Sequence, residues 1–167
     1  LFSDDLTRPP TPDPETFDWI VPTTSPTNGG VFNIVGGVLN SSTSPAGRYG
    51  YAYTDTLTIN DHSVEADIRF PQAGAFGGGI FGRLDTANGQ RYAAWIYPEG
   101  SSGVPGGYGP AVIKVIKYYN WGSWGSPLGL QTVNIAAVGN DWHHLKISFN
   151  GAQIQVFYDG AQVINVT

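Results

Sequence analysis

From residue 142 to residue 149, His143, Leu145, Ile147 and Phe149 share one parity, while Trp142, His144, Lys146 and Ser148 share the other. That is the period-2 pattern of a strand with one buried face. Asn150-Gly151 and, one strand later, Asp159-Gly160 are dipeptides that accept positive φ, and each predicts a two-residue type I′ turn. Residues 142–167 are therefore expected to form a three-stranded antiparallel meander. The same alternation runs through 63–70, where Val64, Ala66, Ile68 and Phe70 oppose Glu65, Asp67 and Arg69. Residues 80–84 and 90–97 form a further hairpin across Asp85 and Gly89, with Tyr92, Ala94 and Ile96 on one parity and Arg91, Trp95 and Tyr97 on the other. Additional strands are predicted over 1–6, 31–39 (interrupted at Gly36-Gly37), 49–59, 111–119 and 131–138. No window carries a sustained 3.6-residue apolar period, so helix is expected to be minor.

About ten or eleven short strands at regular spacing predict an all-β, two-sheet antiparallel sandwich. The chain has 167 residues, 23 Gly, 12 Pro and only 13% charged residues, which suits one domain with many turns. Residues 7–28 hold Pro9, Pro10, Pro12, Pro14, Pro22 and Pro26 and cannot supply a regular ladder. They are read as a Pro-rich surface strap of the single domain 1–167, laying Phe17, Trp19, Ile20 and Val21 over one end of the core.

Charge removes some functions. The net charge is -5 with 8 Lys and Arg, too few to build the basic stripe that nucleic acid requires. No apolar run reaches the roughly 18 residues of a membrane-spanning helix. A chain starting at Leu1 without an initiator Met, and without Cys, is read as processed and secreted or displayed at a cell surface, bacterial or archaeal. Asn40-Ser-Ser and Asn165-Val-Thr are glycosylation sequons.

The motifs Val-Glu-Ala-Asp-Ile-Arg-Phe at 64–70, Gly-Arg-Leu-Asp at 82–85, Arg-Tyr-Ala-Ala-Trp-Ile-Tyr at 91–97 and Trp-His-His-Leu-Lys-Ile-Ser-Phe-Asn-Gly at 142–151 carry a family resemblance. The chain resembles the concanavalin A-like lectin/glucanase superfamily, the laminin-G-like jelly rolls. The resemblance covers nearly the whole chain, Phe-Ser-Asp-Asp at 2–5 included, and it implies a jelly-roll sandwich without naming a ligand. Such domains usually continue past the Asp-Gly hairpin, so the resemblance also implies that this chain lacks its final strand or strands. They would lie in a longer chain or be donated by another one. Laminarinase-like enzymes of this fold carry Glu-x-Asp-x-x-Glu or Glu-x-Asp-x-Glu. Glu65 and Asp67 match the first two acids, but Arg69 and Phe70 stand where the third should be.

Glu65 and Asp67 sit at i and i+2, roughly 6 to 7 Å apart on one strand face, a spacing usable in glycoside hydrolysis. Arg69 on the same face would keep both ionised and oppose the raised pKa a general acid needs, so a surface ladder is the expected reading and the chain is not expected to be an enzyme. His143 and His144 are adjacent on a strand, point to opposite faces and cannot share a metal. Trp121 and Trp124, in Trp-Gly-Ser-Trp with Tyr118 and Tyr119 just before, are the candidate sugar-stacking groups, because an exposed flat ring binds the C-H face of a pyranose. Arg83, Tyr92 and Tyr108 would add hydrogen-bonding groups if they meet on the same concave sheet. Asp4-Asp5 offers hard oxygen ligands, with Asp5 the candidate ligand of a structural calcium. The expected function is a secreted, non-catalytic recognition or adhesion module for a glycan or cell-surface polysaccharide. The alternatives are an assembly subunit completed by a neighbour's strand, and a polysaccharide-cleaving enzyme.

Overall fold

The computed structural model describes residues 30–43, 51–54, 59–71, 77–101, 109–121 and 130–167. The chain divides into two compact units, Leu1–Thr58 and Ile59–Thr167.

In the first unit, β1 (Gly30–Val35) and β2 (Val38–Thr43) form an antiparallel hairpin in which Val35 pairs with Val38. Gly36 (φ 60°) and Gly37 (φ 74°) are its two turn residues, the geometry of a type I′ turn. The expected single strand over 31–39 is thus two strands folded on each other. Of the strand expected over 49–59, Tyr53 makes one isolated bridge, and residues 55–58 lie outside the described residues, as do the expected first strand and the strap at 7–28.

The second unit holds β3 (Ser63–Ile68), β4 (Gly78–Gly82), β5 (Arg91–Tyr97), β6 (Val112–Tyr118), β7 (Gln131–Asn134), β8 (His143–Asn150), β9 (Gln153–Tyr158) and β10 (Ala161–Val166). They form two four-stranded sheets, β10-β9-β8-β3 and β4-β5-β6-β7, with every pairing antiparallel. No helix occurs among the described residues. The alternation explains the layering. Leu145, Ile147, Phe149, Ile154, Val156 and Ile164 of one sheet face Ala94, Ile96, Ile113 and Val115 of the other, and together they form one buried core. Burial of these apolar side chains is the main term holding the sheets face to face.

The meander β8-β9-β10 is as expected, but one of its turns is not. Asn150 pairs with Gln153, so Gly151-Ala152 form the centre, and only Gly151 (φ 54°) has positive φ. This is the type II′ arrangement, with Gly at the first central position. The second turn is type I′, with Asp159 at φ 49° and Gly160 at φ 80°. A Cβ on Gly160 would meet nothing within 4 Å, so Gly160→Ala tests conformation alone. It is expected to lose about 1 to 2 kcal/mol in urea unfolding, the cost of forcing an L side chain into the left-handed region. Among the described residues β10 pairs with β9 alone.

Candidate functional site

Cross-strand register builds an unusual surface on the side of β4-β5-β6-β7 that faces away from the core. Arg91 lies opposite Tyr118, Ala93 opposite Ile116 and Phe81, Trp95 opposite Lys114, and Tyr97 opposite Val112. Ala93, Ile116 and Tyr118 are buried there, with Phe81, Trp95 and Tyr97 half-buried around them. Two cations are set into this aromatic face, Arg91 at 5% and Lys114 at 3% exposure. The Arg91 guanidinium carbon sits 3.8 Å from the Tyr118 ring centre, 5.5 Å from Phe81 and 5.7 Å from Trp121, and Arg91 Nη1 donates to the Gly89 carbonyl at 2.7 Å. Lys114 Nζ lies 4.7 Å from the Tyr97 ring centre, and burial pulls its pKa below the usual lysine range. Cations over ring faces gain from the aromatic quadrupole, more so where water is excluded.

Two glycines make room for the two indoles. The Trp121 ring occupies the space a side chain on Gly89 would need, and the Trp95 indole nitrogen does the same at Gly77. Trp121 itself is half-buried, and the neighbouring Tyr119 is 51% exposed. The β4–β5 loop that carries Gly89 is held by Asp85, which accepts from Ala87 N at 2.9 Å and from Asn88 Nδ2 at 2.7 Å.

Of the six residues expected to bind sugar, Tyr118 and Trp121 come together, both around Arg91. Tyr118 is only 5% exposed, however, and it packs as the floor of the face instead of presenting its ring. Arg83 and Tyr92 are not on this surface. Tyr92 has the parity of Ala94 and points towards the core, its ring 6.4 Å from that of Phe149 and 5.4 Å from Lys117 Nζ. Arg83 is a clamp between sheets. Its Nε donates to the Asn60 carbonyl at 2.9 Å, its Nη2 donates to Gly151 O at 2.6 Å and to Asp61 Oδ1 at 3.1 Å, and its guanidinium lies 4.9 Å from the Phe149 ring centre. Asp61 Oδ1 also accepts from Gly151 N at 2.9 Å. Trp124, Tyr108, Asp4 and Asp5 lie outside the described residues. Sequence reading passed over Arg91 and Lys114. The signal available was the shared parity of Arg91, Trp95 and Tyr97, which set a cation into an aromatic row.

The opposite sandwich surface is a polar ladder. Glu65 pairs with Lys146 at 3.2 Å and Asp67 with His144 Nδ1 at 2.9 Å, while Arg69 stacks on Trp142 at 4.8 Å. The expected Glu-Asp-Arg ladder within one strand is thus corrected: the acids are neutralised across the β3–β8 pair because directly opposed residues are nearer than i+2 neighbours. Gln155 and Gln162, and Gln153 and Asn165, continue the pattern towards β10. His143 and His144 do point to opposite faces, His144 to this ladder and His143 to Asp159 and Tyr158. Among the described residues no group of three or more His, Cys, Asp or Glu side chains could hold a metal ion, and no helix is long and apolar enough to cross a membrane.

A family model for the 3-keto-alpha-glucoside-1,2-lyase-like domain matches residues 13–167. The chain belongs to that family. The chain is also similar in structure to the carbohydrate binding module CBM66 from Bacillus subtilis, at a TM-score of 0.58 and 17% identity, over 89% of this chain and 78% of that one. No curated protein sequence matches it. The fold is therefore the concanavalin A-like jelly-roll sandwich.

Proposed function

We propose that this domain is a carbohydrate-recognition module whose ligand stacks on Trp121 at the open end of the outer face of β4-β5-β6-β7, where Tyr119 is exposed, the middle of that face being buried. The observation that carries the reading is the packing of Trp121 beside Arg91 and over Gly89, which fixes one face of an indole and leaves the ring half-exposed. A fixed, flat, partly open aromatic surface suits a pyranose. Likeness of fold to a carbohydrate binding module supports this reading, as does the sugar substrate in the family's name. The module is non-catalytic and extracellular in this reading. The test is a glycan array with the wild type, Trp121→Ala and Trp124→Ala side by side. Binding lost in Trp121→Ala supports the site, and unchanged binding in both variants removes it.

The family name favours a second reading, a lyase acting on a 3-keto-alpha-glucoside. A 1,2-elimination takes the proton from C2, acidified by the C3 carbonyl, as the C1 oxygen leaves with its electron pair. Lys114, whose pKa is lowered by burial, is only 3% exposed and so is closed to a substrate as the base. Incubation with a 3-keto-alpha-glucoside decides between the readings. Release of the aglycone by the wild type would establish the enzyme, and intact substrate would leave the binding module.

A further inference from the structure

At the end of the sandwich where β5, β7 and β9 finish and β8 begins, His143 is held between two acceptors. We propose that His143 is a proton-operated latch between the two sheets: as an imidazolium it ties Val138, after β7, to Asp159 in the β9–β10 turn, and loss of its proton opens that end of the sandwich. This inference stands apart from the sugar-binding reading.

Geometry makes the case. His143 Nδ1 lies 2.8 Å from Asp159 Oδ2, and Nε2 lies 3.0 Å from the Val138 carbonyl oxygen. Neither partner can donate when Asp159 is ionised, and a neutral imidazole has only one N-H. In the neutral ring one of the two contacts would set a nitrogen lone pair against an oxygen lone pair; only the imidazolium satisfies both. Each partner is itself fixed. Asp159 Oδ1 accepts from the His144 backbone N-H at 2.9 Å. The Val138 and Gly139 N-H groups donate to the two oxygens of Glu99 at 2.8 and 3.0 Å. An unbroken run of hydrogen bonds thus links Glu99, which follows β5, through Val138 and His143 to Asp159, and so joins one sheet to the other. The Tyr158 ring stacks on the imidazole at 5.0 Å and 19°.

The groups facing His143 favour its charge. Burial works against the imidazolium, but the hydrogen bonds to Asp159 and Val138 and the charges of Asp159 and Asp141 outweigh it, and the pKa is raised. Burial likewise opposes ionisation of Asp159 and Glu99, yet both are held below the usual carboxylate range. For Asp159 the cause is its bonds to His143 and to His144 N together with the two imidazole charges; for Glu99 it is the backbone N-H groups and the charge of His143. Tyr158 is pushed upward by burial and then by the charges of Asp159 and Glu99, so it stays a neutral phenol. The signs follow from linkage. The raised His143 contributes stability that is complete below the ordinary histidine pKa and is lost as pH rises through its raised value. The lowered Asp159 and Glu99 contribute stability present above the ordinary carboxylate pKa and lost as pH falls through their lowered values. Closure is tightest between these limits. At the other end of the sandwich the Arg83 clamp holds the sheets by bonds that do not involve His143, so opening on the alkaline side is confined to the His143 end.

The test is an NMR titration of the wild-type chain that follows the imidazole Cε1-H signals, together with amide hydrogen exchange corrected for its intrinsic pH dependence. His143 is expected to titrate above the ordinary 6.5. Protection of the His144, Val138 and Gly139 amides should fall by about tenfold for each unit of that shift as pH passes the midpoint, while the Gly151 amide at the Arg83 end keeps its protection. In Asp159→Asn, a residue type that tolerates the positive φ of this turn, the His143 midpoint should drop towards 6.5. A wild-type midpoint at or below 6.5, or equal loss of protection at Gly151, would overturn the latch.

Discussion

Trp121→Ala is expected to weaken binding of a recognised saccharide by about 10- to 100-fold, the loss typical of a central aromatic anchor, which is about 1.4 kcal/mol per factor of ten. The effect should fall on affinity much more than on folding, because Trp121 lies at the sheet's end and is absent from the buried core. Gly89→Ala provides the complementary case. A Cβ there would enter the space of the Trp121 ring and would also strain a residue at φ 83°. It leaves the indole in the protein but displaces it, so an affinity loss close to that of Trp121→Ala would show that the ring's position matters, not only its presence. Titration calorimetry on the two variants and the wild type measures both.

Arg83→Ala is expected to destabilise the fold by about 2 to 4 kcal/mol, since two backbone carbonyls from different segments lose a charged donor. The Asp61 ion pair adds little, because the Asp61 side chain is 58% exposed and its attraction is screened. Arg83 has φ 52°, so its backbone carries strain that the clamp holds in place. Arg83→Gly removes the same hydrogen bonds but relieves that strain, and it should lose about 1 kcal/mol less than Arg83→Ala. Urea unfolding of the two variants separates the contributions. Equal losses would mean that the conformation at residue 83 costs nothing.

Much of the sandwich was legible because β3 and β8 each bury one parity of their side chains more deeply than the other, and a period of two survives in the sequence wherever one face is packed. At Gly36-Gly37 only an interruption was legible, not a hairpin, for the opposite reason. Apolar residues on both sides of it, from Val31 to Leu39, read as one run, although a pair of glycines is itself a turn signal. The β8–β9 turn shifted by one residue because Asn150 pairs with Gln153, and only register decides which residues of Asn-Gly-Ala form the centre.

The site was legible in kind more than in position. An aromatic segment near Trp121 was evident, but its partner Arg91 becomes visible only when β5 and β6 pair and bring it opposite Tyr118. Charged residues in a strand suggest solvent, and nothing local marks Arg91 or Lys114 as buried. Arg83 was assigned to a ligand because its real partners, the carbonyls of Asn60 and Gly151, are 23 and 68 residues away. The polar ladder was anticipated as a surface feature, and its true partners, Lys146 and His144, again depend on long-range register.

The two faces of the sandwich make opposite predictions about where a sugar lies, and NMR shift mapping with a saccharide taken from the array distinguishes them. The account predicts that the largest shifts fall on the Trp121 indole N-H signal and on the amides of Gly89, Arg91 and Tyr119. Shifts confined to Glu65, Asp67, His144 and Lys146 on the opposite face would contradict it.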